Sequence, residues 1–366
     1  MPLVIFAVGD LMLSQQPITH GFGVLKTIEK KGADYLFQDV KHLLIGGDLV
    51  IGNLETTIAQ NNEVGYRKQF FKAPPDVASS LKNANFNVLS VANNHIMEHG
   101  ENGFLSSVSH LRDSGVIPVG LKDGMEKIEI KGKRIAIGGY SLVEDGCRSP
   151  LYNRISDEEK IFSDVENIKN IADLIVISIH WGSEYVPLPS PEQVKLGRRL
   201  IDSGVDMIIG HHPHVVQSME RYGEKLVFYS LGNFVFDQGF IDETRNSMIA
   251  KIEVGDKGAL DYSLIPVVID PDVHAPKIPS KKVSEYRLKE MDVLRKEIEG
   301  RMLSEYISVE DYGNLVKKRL KAAKKKMKKH FLKNIHRYPL NTIIIITYKY
   351  LRNTFNRIRP KKAVVK

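Results

Sequence analysis

The sequence predicts an α/β domain that carries a basic helical C-terminal extension, on three observations. Short apolar runs alternate with stretches of helical spacing through the first 270 residues, the pattern of strands and helices that favours largely parallel pairing. Residues able to bind metal or phosphate follow several of those runs at once. Charge is divided: residues 278–366 hold 25 Lys and Arg against 8 Asp and Glu, a net of +17, and the first 277 hold 27 against 36, a net of −9.

Taken in order, Leu3 to Val8 reads as the first strand and stops at Gly9-Asp10. Leu49 to Leu54, Val88 to Val91, Val116 to Val119, Arg134 to Gly138, Leu174 to Ile179, Val205 to Ile209 and Leu226 to Tyr229 continue the series as short apolar runs of strand length. Between them Pro75 to Ala84, Gly103 to Ser114, Asp157 to Ile171 and Pro191 to Ser203 show helical spacing. Ser247 to Val254 and Leu260 to Val268, joined by Gly255-Asp256-Lys257-Gly258, predict an antiparallel hairpin.

At 366 residues the chain is long enough for a large core and about two domains. We divide it into a body at 1–270, a Pro-rich linker at 271–280 and a basic helical tail at 281–366. The single cysteine, Cys147, excludes an internal disulfide framework and suits a reducing compartment. The start, Met1 to Val8, has no basic n-region and runs directly into Gly9-Asp10, so it reads as the first strand of a cytoplasmic domain rather than a signal peptide.

The most informative stretch is Asp206 to Gln217. Met207 to Ile209 predicts a buried strand, Gly210 permits a sharp turn, and His211, His212 and His214 follow. Neutral imidazole is the commonest side-chain metal ligand, and a His-x-His pair around Pro213 can aim two rings at one point. In open α/β sheets ligands gather beyond the carboxyl ends of strands. Here those ends offer Asp10, then Asn53 and Glu55, then Asn94 and His95, then His180 and Glu184, then the histidines. Singly, each has an ordinary reading: Gly9-Asp10 as a turn, Asn94 as a helix cap, His180 beside Trp181 as a core histidine. Together they form a mixed nitrogen and oxygen set that suits one or two divalent ions such as Mn, Fe or Zn.

The series Gly9-Asp10-x-Met12, Gly52-Asn53-Leu54-Glu55, Ala92-Asn93-Asn94-His95, His180-Trp181-Gly182-x-Glu184-Tyr185, Gly210-His211-His212-Pro213-His214 and Ser230-Leu231-Gly232-Asn233-Phe234-Val235-Phe236-Asp237 resembles the CapA family. These are capsule or poly-gamma-glutamate biosynthesis proteins related to the calcineurin-like metallophosphoesterases. The resemblance implies a four-layer αββα metallophosphoesterase-like sandwich with a dinuclear metal centre. Carried over by position, it implies Asp10 and His214 at the first metal and Glu55 or Asn53 as the bridge. Asn94, His180 and His212 fall at the second metal, and His95 beside them as general acid. Keeping the His-x-His spacing selects His212 over His211 as ligand and leaves His211 to meet substrate. The chain departs from phosphoesterases at Met12, where they place a histidine, because a thioether is a poor ligand for a hard ion.

A bound divalent ion lowers the pKa of its water to about 7 and clamps phosphoryl oxygens. His95 is then placed to protonate the leaving oxygen, and Glu184 to orient His180 or the attacking water. Arg67 and Lys72, in a cationic loop ahead of Pro75, are candidates to hold an anionic substrate, although solvated loop cations read the same way. Asn233 and Asp237 are expected to brace the histidine loop. The function expected is metal-dependent phosphoester hydrolysis on a phosphorylated or anionic envelope-polymer precursor. The alternative is a non-catalytic subunit of a membrane polymer synthase or export complex.

In the tail, Val283 to Leu303 and Tyr312 to Leu332 predict helices, the second loaded with lysine. Leu340 to Tyr348 is apolar but far short of the ~20 residues that span a bilayer. The composition fits an interfacial anchor on anionic lipid, placing the protein peripherally on the inner membrane face. The alternatives are a helical pair packed on the body or a disordered basic tail. Nucleic acid is the least favoured partner, because basic helices alone do not specify it.

Overall fold

A computed structural model describes residues 2–60, 69–155, 158–255 and 258–347. The chain begins with β1 (Leu3–Leu11), then α1 (Val24–Lys31), α2 (Lys41–Leu44), β2 (Leu49–Leu54), β3 (Thr57–Ile58), β4 (Lys72–Ala73) and α3 (Val77–Asn83). Next come β5 (Val88–Ser90), α4 (Gly100–Asp113), β6 (Ile117–Val119), β7 (Glu126–Ile130), β8 (Lys133–Ser141) and α5 (Glu159–Ile168). They are followed by β9 (Leu174–His180), α6 (Pro191–Ser203), β10 (Met207–His211), β11 (Met219–Tyr222), β12 (Lys225–Phe228) and β13 (Asn233–Val235). The hairpin is β14 (Asn246–Val254) with β15 (Leu260–Ile269), and β16 (Pro276–Lys277), α7 (Lys281–Lys296) and α8 (Val309–Lys333) complete the order.

Two mixed sheets result. The first runs β16-β15-β14-β1-β2-β5-β6 with β13 added beside β1, and the second runs β11-β12-β10-β9-β8-β7. Period-two alternation decides what lies between them. Ile5, Ile51 and Val88 of the first sheet face Ile137, Val176, Ile209 and Phe228 of the second in one buried cluster. Phe6, Val50 and Leu89 turn the other way, onto Val24, Val77, Leu81 and Phe104 of the helices. On the far side Ile175, Ile177 and Ile208 meet Ile161, Val165, Leu196 and Leu200 of α5 and α6. The architecture is therefore αββα, four layers deep. Strands buried on both faces must be apolar throughout, which is why they were readable as continuous runs. Each fully buried Val, Leu or Ile contributes about 1.5–3 kcal/mol.

Helix α6 shows how local chemistry fixes an element. Ser190 Oγ accepts from the Gln193 N–H at 3.1 Å while Gln193 Oε1 accepts from the Ser190 N–H at 2.9 Å. Pro191 occupies the first turn and Gly204, with φ 120°, ends the helix in the left-handed region. Strand β7 was not anticipated: Glu126-Lys127-Ile128-Glu129-Ile130 alternates charged and apolar residues at the edge of its sheet, where charge blocks edge-to-edge pairing.

Within 271–280, Pro276–Lys277 pairs with β15 and extends the first sheet. The first tail helix stops at Lys296, short of the expected Leu303, and Gly300 turns the chain with φ 74°. The second is capped by Ser308, whose Oγ accepts from the Asp311 N–H at 3.1 Å. Both pack on the body, α7 through Met291 against the inter-sheet core and α8 through Ala323 against Tyr185, Phe240 and Ile241. Among the described residues no helix is long and apolar enough to cross a membrane.

Candidate metal centre

Both sheets direct strand carboxyl ends to the same place, and two glycines make the approach close enough. At residues 3–7, β1 pairs with β14, but at Asp10 it pairs with β13, and its register with β2 shifts between Ala7 and Asp10. The change is made at Gly9, where an added Cβ would lie 1.9 Å from the Gly232 carbonyl oxygen. On the second sheet a Cβ on Gly210 would lie 2.0 Å from the Tyr229 carbonyl oxygen. That oxygen accepts from Trp181 Nε1 at 2.9 Å, so the lone tryptophan braces the strand ends from behind.

Asp10 then joins the sheets. Its Oδ1 accepts from Asn53 Nδ2 at 2.9 Å and its Oδ2 from the backbone N–H of His212 at 3.1 Å. Asn93, overlooked in the sequence, orders the next layer: its Nδ2 donates to Asn53 Oδ1 at 3.1 Å and its Oδ1 accepts from the His95 N–H at 3.1 Å. His180 Nε2 and Asn94 Oδ1 meet at 2.8 Å. His214 Nδ1 lies 2.9 Å from Asn233 Oδ1, an acceptor that places the proton on Nδ1 and turns Nε2 toward Glu55 at 3.9 Å. His212 and His214 hold φ of 95° and 58°, a strained conformation of the kind that persists where surrounding structure enforces it.

Glu55 is the centre of the arrangement. It is fully buried, and neither carboxylate oxygen has a hydrogen-bond partner among the described residues. Its Oε1 lies 3.9 Å from Nε2 of His95, of His180 and of His214. Two sets, Asp10 with Glu55 and His180, and Glu55 with His212 and His214, each bring their ligand atoms within 4.8 Å of one another. Glu55 belongs to both.

Electrostatics follow from this crowding. Burial pushes the Glu55 carboxyl well above the usual range, and the nearby Asp10 and Glu184 charges push it further. Burial also raises Asp10, but contacts with His211, His214 and Asn53 more than offset it and leave it lowered. Burial lowers His180 and His214, and with the neighbouring His214 it brings His212 down to about 3. These imidazoles are neutral at physiological pH, the form that binds metal. An unpartnered buried carboxylate costs far more than a paired one, and a cation shared between the two sets supplies the missing partner. The residues present fit one or two divalent ions.

The remaining expected residues lie as follows. His95 stacks on Phe71 with ring centroids 4.3 Å apart, and its Nδ1 sits 3.1 Å from Glu98 Oε1. Glu184 acts through its charge on Glu55 and His214, whereas His180 is held by Asn94 and Asn53. His211 is buried with its Nδ1 3.1 Å from Asp10 Oδ1, out of hydrogen-bond alignment. Lys72 lines a cavity of about 630 Å³ with Gln15, His20 and Gln69. Arg67 lies outside the described residues. Asn233 braces the histidine loop, but Asp237 does not: its carboxylate accepts from Gln16 Nε2 at 2.7 Å and Thr19 Oγ1 at 2.5 Å, tying down the loop after β1. The glycine-free sequence around Phe71 gave no signal for its stacking role, and Arg319 gave none for its contact with the Tyr185 carbonyl.

The family described as bacterial capsule synthesis protein PGA_cap matches residues 4–238. The capsule biosynthesis protein CapA of Bacillus anthracis is 30% identical over 285 residues, spanning 73% of this chain and 67% of its own. The PGA biosynthesis protein CapA of Bacillus subtilis strain 168 is 33% identical over 308 residues, spanning 79% of this chain and 76% of its own. A solved novel phosphatase from Mycoplasma pneumoniae superposes with a TM-score of 0.47 at 16% identity, over 75% of this chain and 96% of the other.

Proposed function

This chain belongs to the bacterial capsule synthesis protein PGA_cap family, and from that premise we propose that it is a divalent-metal hydrolase of phosphoester type serving capsule, exopolysaccharide or poly-gamma-glutamate biosynthesis. The observation that carries the reading is the buried, unpartnered Glu55 carboxylate shared by two ligand sets. Asp10, Glu55 and His180 with Asn94 would hold one ion, and Glu55, His212 and His214 a second, of the Mn, Fe or Zn kind. This departs from the expected division, which paired His214 with Asp10. Such an ion supplies Lewis acidity and activates water at neutral pH.

The chain's own residues do the rest. Asn53, Asn93 and Asn233 orient Asp10, His95 and His214 through the hydrogen bonds described above. His95 stands at the open side of the cluster, its side chain one-fifth exposed while Glu55 is fully buried. Glu98 and the Phe71 ring fix its plane, so Nε2 can hand a proton to a departing oxygen. Glu184 adds negative charge beside Glu55 and His214, which favours a cation there.

Purified chain, stripped with chelator and reloaded with Mn2+, should hydrolyse bis-p-nitrophenyl phosphate or p-nitrophenyl phosphate. Metal binding without turnover on either, under Mn2+, Fe2+ or Zn2+, would reject hydrolysis. A second reading, a non-catalytic subunit of a polymer synthase or exporter, is favoured by Met12. Its thioether is fully buried, packs with Phe236 and Ile269, and accepts from Ser14 Oγ at 3.1 Å, offering nothing to a hard ion.

A further inference from the structure

The tail helix α8 has two faces that do different things. Tyr312, Arg319, Ala323 and His330 turn inward, with Tyr312 and Ala323 buried. Lys317, Lys318, Lys321, Lys324, Lys325, Lys328 and Lys329 are all exposed. At 3.6 residues per turn these lysines occupy an arc of about 140°, centred opposite Ala323. The cations nearest the body, Arg319 and Lys326, meet Glu243. Lys317, Lys318, Lys321, Lys324, Lys325 and Lys329 meet no carboxylate among the described residues.

Such a face is unfavourable in water. Lys317, Lys321, Lys325 and Lys329 follow one another at four-residue spacing, where like charges repel and weaken a helix. A solvated helix interleaves acids, yet no Asp or Glu occurs after Asp311, across 55 residues that hold 18 Lys and Arg. An extended negative surface relieves that repulsion. Apolar groups sit with the lysines: Leu332 is 57% exposed in the middle of the arc, and Ile335, Leu340 and Ile344 are 39%, 73% and 59% exposed just beyond it. A soluble polyanion matches the charges but leaves those side chains in water. A bilayer matches both, since apolar groups enter the headgroup layer while lysines meet anionic lipid.

We propose that the lysine face of α8, with Leu332, Leu340 and Ile344, is a docking surface for an anionic phospholipid bilayer, held rigidly by the packing of the opposite face on the body. Docking of this kind needs no membrane-crossing helix. It also needs no metal, so it stands or falls apart from the hydrolase reading.

The test is co-sedimentation of the full chain with vesicles of phosphatidylcholine alone or mixed with phosphatidylglycerol, with chelator present. The wild type should pellet with the mixed vesicles and not the neutral ones, and binding should weaken as salt rises. A quadruple variant with Lys317→Glu, Lys321→Glu, Lys325→Glu and Lys329→Glu should bind at least about tenfold more weakly, given the per-lysine contribution at an anionic surface. The same four positions changed to Gln decide the matter if the reversed chain fails to fold, as judged by circular dichroism. Leu332→Ser with Leu340→Ser should remove the binding that survives high salt. Equal pelleting with neutral vesicles, or wild-type affinity in the Gln variant, would overturn the proposal. So would preferential capture of polyglutamate or DNA with the vesicles left unbound.

Discussion

Arg319 Nε donates to the backbone carbonyl of Tyr185 at 2.7 Å, across 134 residues of sequence. Tyr185 is itself held with φ 65°, and its N–H donates to the carbonyl of Pro213 at 2.8 Å. Pro213 sits between His212 and His214. The tail is thus fastened, through two consecutive hydrogen bonds, to the loop that carries two of the proposed ligands.

Cutting that link should loosen the loop without unfolding the body. A hydrogen bond to a charged group contributes about 1.5–3 kcal/mol, and with the Arg319 side chain one-quarter exposed solvent screening reduces the expected loss to about 1–2 kcal/mol. Arg319→Ala should speed hydrogen exchange across residues 185–214 and shrink the melting shift produced by saturating Mn2+. Arg319→Lys should restore part of both. Exchange identical to the wild type would show that the clamp does not hold the loop.

Acid should release the tail ahead of the body. Burial pushes the Glu243 carboxyl up, but its own backbone N–H, Arg319 and Lys326 more than offset this and leave it below 4.5. A carboxyl lowered on folding contributes stability above its unfolded value, which is lost as pH falls through the lower folded one. Protease cleavage within residues 309–333 should therefore rise as pH falls below 4.5, before the body is cut. Glu243→Gln should raise cleavage at neutral pH and flatten that rise; a wild-type profile in this variant would count against the contact.

Much of this was legible in the sequence because it is written locally. Strands buried on both faces must be apolar along their length, and the groups at positions 10, 55, 180, 212 and 214 follow such strands directly. The structure converges them because both sheets end there. Elements defined by long-range contacts left no pattern. Phe71 becomes a stacking partner for His95 only once β4 is laid beside the site, and Arg319 looks like one basic residue among many. Asp237 was misread because its nearness to Asn233 in sequence suggested a shared task, whereas β13 ends at Val235 and Asp237, beyond it, meets Gln16 and Thr19 of the loop after β1. Strand β7 hid behind its charges.

The approach of β1 to β13 gives a prediction that needs no ligand. A methyl group on Gly9 would stand 1.9 Å from a backbone carbonyl, which cannot move aside as a side-chain tip can. Gly9→Ala should destabilise the fold by about 3 kcal/mol, at the upper end for overpacking. Gly146→Ala, where none of the described residues comes within 4 Å of the added carbon, should change stability by less than about 0.5 kcal/mol. Denaturant melts compare the two, and equal effects would mean the contact is relieved elsewhere.

His95 separates binding from turnover. It is stacked on Phe71 and partnered by Glu98, outside the two ligand sets. His95→Ala should keep the Mn2+-induced melting shift within a degree or so while lowering hydrolysis by about 10²–10⁴-fold. Phe71→Ala should give an intermediate loss, since the ring orients the imidazole without exchanging protons. A His95→Ala chain that turns over at the wild-type rate would remove it from the chemistry.

Glu55 gives the strongest contrast, because the same side chain should weaken the metal-free fold and strengthen the loaded one. Burial first, then the Asp10 and Glu184 charges, raise its carboxyl well above the usual range. For an acid raised on folding, the folded state holds its proton longer than the unfolded chain does. Stability contributed at low pH is therefore lost as pH climbs from about 4.5 through the raised value. Glu55→Gln, which removes the charge and keeps the shape, should melt higher than the wild type without metal, by a margin that widens from pH 5 toward pH 8. Saturating Mn2+ should reverse the order. An ion at a hundred times its dissociation constant stabilises by about 2.7 kcal/mol, and the amide forfeits most of that because it offers one neutral oxygen in place of a shared carboxylate. A Gln variant that melts lower than the wild type without metal, and shifts equally with it, would show that Glu55 holds no cation.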